Sequence, residues 1–134
     1  MATIWSDEGK LERWLEVELA ALDAWAEVGA IPAEDVAAIR ATASMPSPAR
    51  VAEIEKTTDH DTAAFVDAVA EQLGPEGRWV HFGLTSSDVV DTALSLQLRD
   101  AGKLLLDGIE RALAAVARQA EEHRTTITIG RSHG

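Results

Sequence analysis

The chain has 134 residues, enough for one modest domain, and 23 acidic against 12 basic residues give it a net charge of −11. This charge argues against nucleic acid or an anionic membrane surface as the main partner, because both favour a basic face on the protein. The absence of cysteine excludes disulfides and thiolate metal sites, and the absence of any run of about eighteen apolar residues argues against a transmembrane helix.

Four helices are predicted in the first half of the chain, because alanine and leucine are abundant and apolar residues recur at three- and four-residue steps. Ser6 and Ser47 stand where helix N-caps are expected, and Gly29 fits the left-handed position after a helix end. Trp14 and Trp25 flank the apolar stripe of the first helix and are interpreted as packing residues. The predicted ranges are 7–28, 33–43, 48–55 and 61–73.

A dense group of polar side chains, residues 56–61, directly precedes the fourth predicted helix. Within it, His60 lies between Asp59 and Asp61, and hydrogen bonding to these neighbours would fix the orientation of its ring. His60 is therefore either a substrate ligand or proton carrier, or a helix-start histidine that is exposed to water. The residues alone leave both interpretations open.

Residues 81–88, His-Phe-Gly-Leu-Thr-Ser-Ser-Asp, lead from a glycine-bearing loop into a long helical pattern. Ser86 or Ser87, followed by Asp88, signals a helix N-cap. The free N–H groups and positive dipole end of such a helix suit an anion, and Thr85 and the two serines add hydroxyl donors. This segment therefore either binds a carboxylate of a small substrate or is an ordinary serine-rich cap.

Helical periodicity continues from Asp88 to about Glu122, which predicts a rod of roughly 50 Å. The apolar stripe of this rod is wider than the preceding helices can cover. We therefore expect that the chain oligomerises or that more helices follow Gly134. The stripe consists of Val90, Leu94, Leu98, Ala101, Leu105, Ile109, Val116 and Ala120.

The end of the chain changes character after this rod. The alternating, β-branched residues 125–129 predict an extended segment. It leads to Gly-Arg-Ser-His-Gly at 130–134, which is typical of a functional loop, although a flexible C-terminal tail would explain it too. Because the sequence stops directly after this loop, without a polar closing helix, we expect it to be a fragment of a longer protein.

Three blocks of polar residues and glycines stand out together along the chain. They are Thr-Asp-His-Asp at 58–61, the motif at 81–88 and Gly-Arg-Ser-His-Gly at 130–134, preceded by Ile-Trp-Ser at 4–6 and Trp-Leu-Glu-Val-Glu at 14–18. In this order and spacing they resemble the N-terminal part of the adenylosuccinate lyases, a branch of the fumarase/aspartase superfamily. The resemblance covers nearly the whole chain, and Asp-Thr-Ala-Leu at 91–94 is of the adenylosuccinate type rather than the fumarase or argininosuccinate type.

The resemblance implies an all-α fold with two parts. A small N-terminal helical domain, here residues 1–85, precedes a central domain of very long helices, of which residues 86–134 would be the truncated start. In this family four subunits assemble through the central bundle, which implies a homotetramer for the full-length protein. Each active site is built from three subunits, so His60, Thr85 and His133 need not meet within one chain.

The reaction that the resemblance implies is β-elimination of fumarate. It acts on adenylosuccinate, giving AMP, and on the succinyl-carboxamide intermediate of purine synthesis. A base removes a weakly acidic proton beside a carboxylate, and fixed donors must stabilise the charge that spreads onto that carboxylate. The leaving nitrogen is then protonated, which suits a histidine. Adenylosuccinate, AMP and fumarate are thus the expected partners, without a cofactor or a metal ion.

Two histidines are candidate catalytic residues by resemblance. His133 would be the general acid, and His60 would lie near the phosphate or assist proton transfer. The serine-rich loop with the catalytic base, and the lysine and asparagine beside it, belong to the part of the family beyond Gly134. The 134 residues alone are therefore expected to be inactive.

The candidate substrate-binding residues come from the first two blocks. By resemblance, Thr85 and Ser86 would hold the fumarate-side carboxylate, and Ser87 offers a further hydroxyl. His81 would support the site, although a buried structural role fits it equally well. The substrate pocket would be lined by Asp59, His60 and Asp61.

Two departures from the family pattern are visible. Ser132 stands where the family usually has threonine, which preserves the hydroxyl, and the expected Arg-Tyr pair before the first helix is absent. Asp7 and Glu8 do not fit the start of a secretory signal, so a cytoplasmic protein is expected. Two other hypotheses remain: a related lyase that acts on another fumarate or carboxylate adduct, and a non-catalytic helical oligomerisation module.

Overall fold

The computed structural model describes residues 1–133, and within them the chain is helical and contains no strand. This confirms the predicted all-α fold class. Two short 3-10 helices, Ala2–Trp5 and Pro75–Trp79, accompany five longer helices in the described chain. The longer helices are α1 (Asp7–Glu27), α2 (Ala33–Thr42), α3 (Pro48–Thr58), α4 (Asp61–Ala70) and α5 (Ser86–Glu122).

The chain divides into two compact units, Met1–Asp100 and Ala101–Gly134. The first unit contains α1 to α4 and the first turns of α5, whereas the second contains the rest of α5 and the end of the chain. The domain division between residues 85 and 86 stays a prediction.

The helix ends follow their capping residues. The hydroxyl of Ser6 accepts from the N–H of Gly9 at 3.1 Å, and that of Ser47 accepts from the N–H of Arg50 at 3.2 Å. Gly29 has a φ of 74°, the left-handed value that the sequence predicts after α1. Both predicted caps and the predicted stop are therefore confirmed.

Two helix ends differ from the prediction by three residues each, whereas the first two helices end within one residue of it. The third helix continues three residues further, to Thr58, because the N–H of Asp59 still bonds to the carbonyl of Glu55 at 2.8 Å. The fourth ends at Ala70 rather than at residue 73, since the last N–H groups turn back onto carbonyls three residues earlier.

The core of the first unit lies between α1, α4 and the start of α5. Leu11 and Trp14 of α1 meet the fully buried Phe65 of α4, and the rings of Trp14 and Phe65 are edge-to-face with centroids 5.4 Å apart. Val89 and Ala93 bring the first turns of α5 into the same cluster. A second cluster, Leu22, Ile31, Val36 and Ile39, joins α1 to α2.

The buried side of α5 within the first unit is offset from the predicted stripe. Val89, Ala93 and Gln97 are buried, and the amide of Gln97 donates to the carbonyl of Ile4 at 2.5 Å. Leu94 and Leu98, by contrast, are 43% and 56% exposed. The buried side of α5 here thus consists of two apolar residues and one glutamine whose amide is paired.

The second unit exposes a broad apolar surface along its part of α5. Residues 126–133 have neither helical nor strand structure, and Gly134, the last residue of the predicted functional loop, lies outside the described residues. None of the helices within residues 1–133 has the length and apolar composition needed to span a bilayer. The large exposed apolar side chains of this unit's helix are Leu104, Leu105, Leu106, Ile109, Leu113 and Val116.

Candidate functional site

The starts of α4 and α5 meet through His60 and Ser86. His60 is the residue before α4, and its Nδ1 accepts a hydrogen bond from the N–H of Ala63 at 3.3 Å. Its Nε2 lies 3.3 Å from the hydroxyl oxygen of Ser86, in the first turn of α5. The structure thus brings together residues from two of the three sequence blocks.

These two contacts define which nitrogen of the neutral His60 ring carries the hydrogen. Because Nδ1 accepts from a backbone amide, it carries no hydrogen, and Nε2 is therefore the donor to the oxygen of Ser86. One ring nitrogen of His60 thus caps the start of α4, and the other contacts a hydroxyl in the first turn of α5. A group held in this way can pass a proton through Nε2 while Nδ1 keeps its structural hydrogen bond.

The aspartates beside His60 do not orient its ring, contrary to the expectation from the sequence. Asp59 ends α3 in the left-handed conformation, with a φ of 49°. An oxygen of Asp61 accepts from the N–H of Thr62 at 2.7 Å and lies 3.6 Å from Nδ1 of His60, too far for a hydrogen bond. Ala63 and Ser86 orient the ring instead, and both aspartates are exposed.

Thr85, rather than Ser86 or Ser87, occupies the N-cap position of α5. An oxygen of Asp88 accepts from the N–H of Thr85 at 2.8 Å, while the N–H of Asp88 bonds to the carbonyl of Thr85 at 3.0 Å. This is one half of a capping box, because the carboxylate of Asp88 caps the N–H of Thr85 while the N–H of Asp88 bonds to the backbone carbonyl of Thr85 and not to its hydroxyl. The predicted serine cap is wrong because Asp88 lies three residues after Thr85, which sets the start of the helix one residue earlier.

The first turn of α5 keeps unused donors after this capping. Within residues 1–133, the N–H groups of Ser86 and Ser87 have no acceptor, and the hydroxyls of Thr85 and Ser87 have no partner. These groups lie at the positive end of a 37-residue helix. They are able to donate to an anion, although the carboxylate of Asp88 offsets part of the helix dipole.

A buried glutamate that the sequence analysis did not identify holds His81. Glu18 of α1 is 1% exposed, and its two oxygens accept from the N–H of His81 at 2.9 Å and from Nδ1 at 2.6 Å. The signal was present in the sequence, since Glu18 falls at helical spacing from Leu11 and Leu22. A charged residue on the apolar side of a helix indicates a specific partner.

The loop between His81 and Thr85 is also anchored on Trp25 of α1. The indole N–H of Trp25 donates to the carbonyl of Phe82 at 2.9 Å, and the two rings are edge-to-face at 5.6 Å. Gly83 has a φ of 72°, and a Cβ there would stand 2.8 Å from the ring carbon Cζ2 of Trp25. Trp25 therefore packs, as predicted, and in addition fixes the backbone of this loop.

The pKa shifts of carboxyl groups belong to surface ion pairs away from this corner. Hydrogen bonding to the guanidinium of Arg40 lowers the pKa of Asp23. Arg50 lowers the pKa of Glu71 in the same way, with two hydrogen bonds of 2.9 and 2.5 Å. Within residues 1–133, no three His, Asp or Glu side chains cluster as the ligands of a metal ion would.

His133 belongs to the second unit, where it is exposed in the non-helical end of the chain. The residues described above, from Glu18 to Asp88, belong to the first unit. The role of His133 as a general acid therefore stays a prediction.

Comparison with known proteins assigns the family. A family model described as "Lyase" matches residues 1–134, the whole chain. The chain belongs to this lyase family. The lyase chain is 52% identical over 134 residues to the adenylosuccinate lyase of Bacillus subtilis and 51% identical to that of Streptococcus mutans. The match covers 100% of this chain and 31% of each relative, so the chain spans about a third of their length.

A solved structure supports the same relationship. The fumarate lyase from Mesorhizobium sp. BNC1 superimposes with a TM-score of 0.90 and 30% sequence identity. The superposition covers 98% of this chain and 32% of that chain. The helical arrangement is thus that of a lyase of known structure, and the chain is related to the adenylosuccinate lyases along its whole length.

Proposed function

We propose that the full-length protein is an adenylosuccinate lyase, which eliminates fumarate from adenylosuccinate and from the succinyl-carboxamide intermediate of purine synthesis. The observation that carries the proposal is the 52% identity to a curated adenylosuccinate lyase over all 134 residues. The contact between His60 and Ser86 supports it, since a proton carrier and a cluster of donors then lie side by side.

The elimination needs donors where negative charge develops. Removal of the proton beside a carboxylate spreads charge onto the carboxylate oxygens, and fixed N–H and O–H groups stabilise that state. In the proposal, Thr85, Ser86 and Ser87 supply these donors with their hydroxyls and with the two unused amides of the α5 start. The amides need no reorganisation during the reaction because the helix already orients them.

The proton transfers are assigned to histidines in the proposal. His60 lies near the phosphate of the substrate or assists proton transfer through Nε2, and His133 protonates the leaving nitrogen. Asp59 and Asp61 line the pocket, and His81 contributes its open ring nitrogen. The base that removes the carbon-bound proton is assigned to a part of the protein outside these 134 residues.

Assembly completes the site in this proposal. The side chains of His60 and Asp61 are 50% and 51% exposed, which leaves the corner open for other segments to cover. The apolar surface of α5 in the second unit, including Leu105 and Ile109 at 58% and 61% exposure, calls for helical partners. We therefore propose a cytoplasmic homotetramer in which neighbouring subunits bring His133 to the corner formed by His60 and Ser86.

Steady-state turnover by the full-length protein tests the proposed function. Adenylosuccinate should be converted to AMP and fumarate, and His133→Ala should lower turnover about a hundredfold or more. An Arg131→Lys variant, which keeps the charge beside His133, serves as the matched control. A full-length protein that is folded but leaves adenylosuccinate intact would overturn the proposal.

A second candidate is a related lyase with another substrate, because the structural relative is described as a fumarate lyase. Parallel assays with other succinyl adducts separate the two enzymes, since the second predicts turnover of another adduct in preference to adenylosuccinate. The exposed apolar surface of α5 also fits a non-catalytic oligomerisation module. Binding of AMP or fumarate, followed by tryptophan fluorescence of the full-length protein, would exclude that module.

A further inference from the structure

The loop from His81 to Thr85 is held at two points by one side of α1. Glu18 and Trp25 are seven residues apart, about two helical turns, and so point the same way. Glu18 binds the backbone and ring of His81, and Trp25 binds the carbonyl of Phe82. The loop contains two left-handed residues, His81 at a φ of 66° and Gly83 at 72°.

A glutamate is unusual at a buried position whose only role is packing. The neighbours of Glu18 on the buried side of α1, Leu11 and Leu22, are apolar, and each is 2% exposed. A buried carboxylate is costly unless it is fully paired, and within residues 1–133 no lysine or arginine bonds to Glu18. Both of its oxygens instead accept hydrogen bonds from His81, which indicates that the role of the carboxylate is to hold that residue.

The pairing determines which nitrogen of the His81 ring is available. Glu18 accepts the hydrogen on Nδ1, so Nε2 is left as the free ring nitrogen. Within the described residues Nε2 has no partner, and no buried side-chain nitrogen lacks one, so this atom reaches the surface. The His81 side chain is 23% exposed, which is consistent with a ring whose Nδ1 edge faces Glu18 and whose Nε2 edge faces the surface.

We propose that Glu18 and Trp25 are positioning residues for the substrate corner. Glu18 fixes the tautomer of His81, so that Nε2 is available to a ligand. Trp25 holds the backbone at Phe82, between His81 and Thr85. The role of His81 toward substrate rests on the proposed function, whereas the anchoring of the loop is independent of it.

A glutamine at position 18 tests the tautomer. Its amide has one acceptor and one donor, so when its oxygen keeps the N–H of His81, its NH2 group faces Nδ1 and moves the ring hydrogen to Nε2. In the full-length protein, Glu18→Gln should lower kcat/KM about ten- to a hundredfold and displace its pH profile. Glu16→Gln, two residues away on the exposed side of α1, should retain both. A Glu18→Gln enzyme with the wild-type kcat/KM and pH profile would overturn the proposal.

A leucine at position 18 separates positioning from stability. Glu18→Leu removes the buried charge but also leaves the N–H of His81 without its acceptor, so the full-length protein should stay folded with a lower melting temperature. Hydrogen exchange should become faster in residues 81–85 in particular, and turnover should fall. General unfolding of Glu18→Leu, with faster exchange throughout the protein, would assign Glu18 a structural role and overturn the proposal.

The tryptophan anchor has a matched pair of variants. Trp25→Phe removes the N–H that bonds to Phe82, whereas Trp79→Phe removes an N–H that bonds to Asp35 at 2.7 Å outside the loop. Only Trp25→Phe should speed exchange in residues 81–85, and equal exchange in both variants would contradict the anchor. A wild-type protein without adenylosuccinate turnover would defeat the proposed function, while the exchange measurements would still decide whether Glu18 and Trp25 hold the loop.

Discussion

Among the individual residues, His60 combines a structural and a chemical position. Its Nδ1 satisfies the start of α4, and its Nε2 contacts Ser86 at the start of α5. Simple truncation of His60 is difficult to interpret, because loss of the helix cap and loss of the proposed proton carrier occur together. Substitutions that separate these two tasks are therefore the informative ones.

Asparagine at position 60 should separate the cap from the imidazole. His60→Asn retains an acceptor for the N–H of Ala63, so the melting temperature of the full-length protein should change little. His60→Ala removes that acceptor and should lose about 1 kcal/mol of stability. Both variants should lose about a hundredfold in turnover of adenylosuccinate. Wild-type turnover in His60→Asn would remove His60 from proton transfer.

Alanine at Gly83 should be destabilising, because two physical effects act together. The φ of 72° disfavours any side chain, and the new Cβ would meet Trp25 at 2.8 Å. We expect a loss of about 1–2 kcal/mol, measured by thermal or urea unfolding. Gly102→Ala is the control: nothing lies within 4 Å of a Cβ there, and alanine favours the helix by about 0.5–1 kcal/mol. Equal effects at both positions would contradict the strain at Gly83.

At the level of helices, the sequence identifies elements better than the exact register of their ends. Ser6, Ser47 and Gly29 correctly mark helix ends because each signal is local. Three consecutive hydroxyl residues, 85–87, span the start of α5, so local propensity does not decide which of them is the cap, whereas the bond from the N–H of Thr85 to Asp88 does.

The partner of Glu18 was hidden from sequence reasoning for a different reason. It lies 63 residues away, and only the tertiary fold brings His81 to it. The contact between His60 and Ser86 spans 26 residues and was likewise beyond local reasoning. The motifs themselves were recognisable, but their mutual geometry depends on packing that no local pattern encodes.

The exposed side of α5 should be an assembly surface in the full-length protein. Leu105→Glu combined with Ile109→Glu places two charges among the apolar side chains that the second unit exposes. Because these charges would have to be buried in the proposed tetramer, we expect dissociation into smaller species by analytical ultracentrifugation. Gln119→Glu, an exposed polar position on the same helix, should leave the mass unchanged. An intact tetramer in the double variant would place the interface elsewhere.

For the molecule as a whole, acidic charge dominates the surface. The net charge of −11 produces mutual repulsion at neutral pH, and salt should therefore reduce that repulsion. Surface arginines relieve it locally, as Arg50 does with Glu71 and Arg40 with Asp23. Such exposed pairs contribute modestly to stability, yet they determine part of its dependence on pH.

The stability of the chain should fall in acid partly through Glu71. Arg50 lowers the pKa of Glu71 below its ordinary value of 4.5, so the pair stabilises the fold above pH 4.5. That contribution is lost as the pH falls through the lower pKa of the folded state. Melting temperatures measured against pH should therefore drop less steeply in Glu71→Gln than in the wild type. Identical slopes below pH 4.5 would show that the pair does not contribute.

The carboxylate of Asp88 places a fixed negative charge beside the start of α5. It is fixed on the N–H of Thr85, at the same turn as the free amides of Ser86 and Ser87. Coulomb repulsion scales with the product of the charges, so a phosphate dianion there would be repelled about twice as strongly as a carboxylate. In the proposed function, this repulsion would favour a substrate orientation in which a carboxylate, and not the phosphate, faces the start of α5.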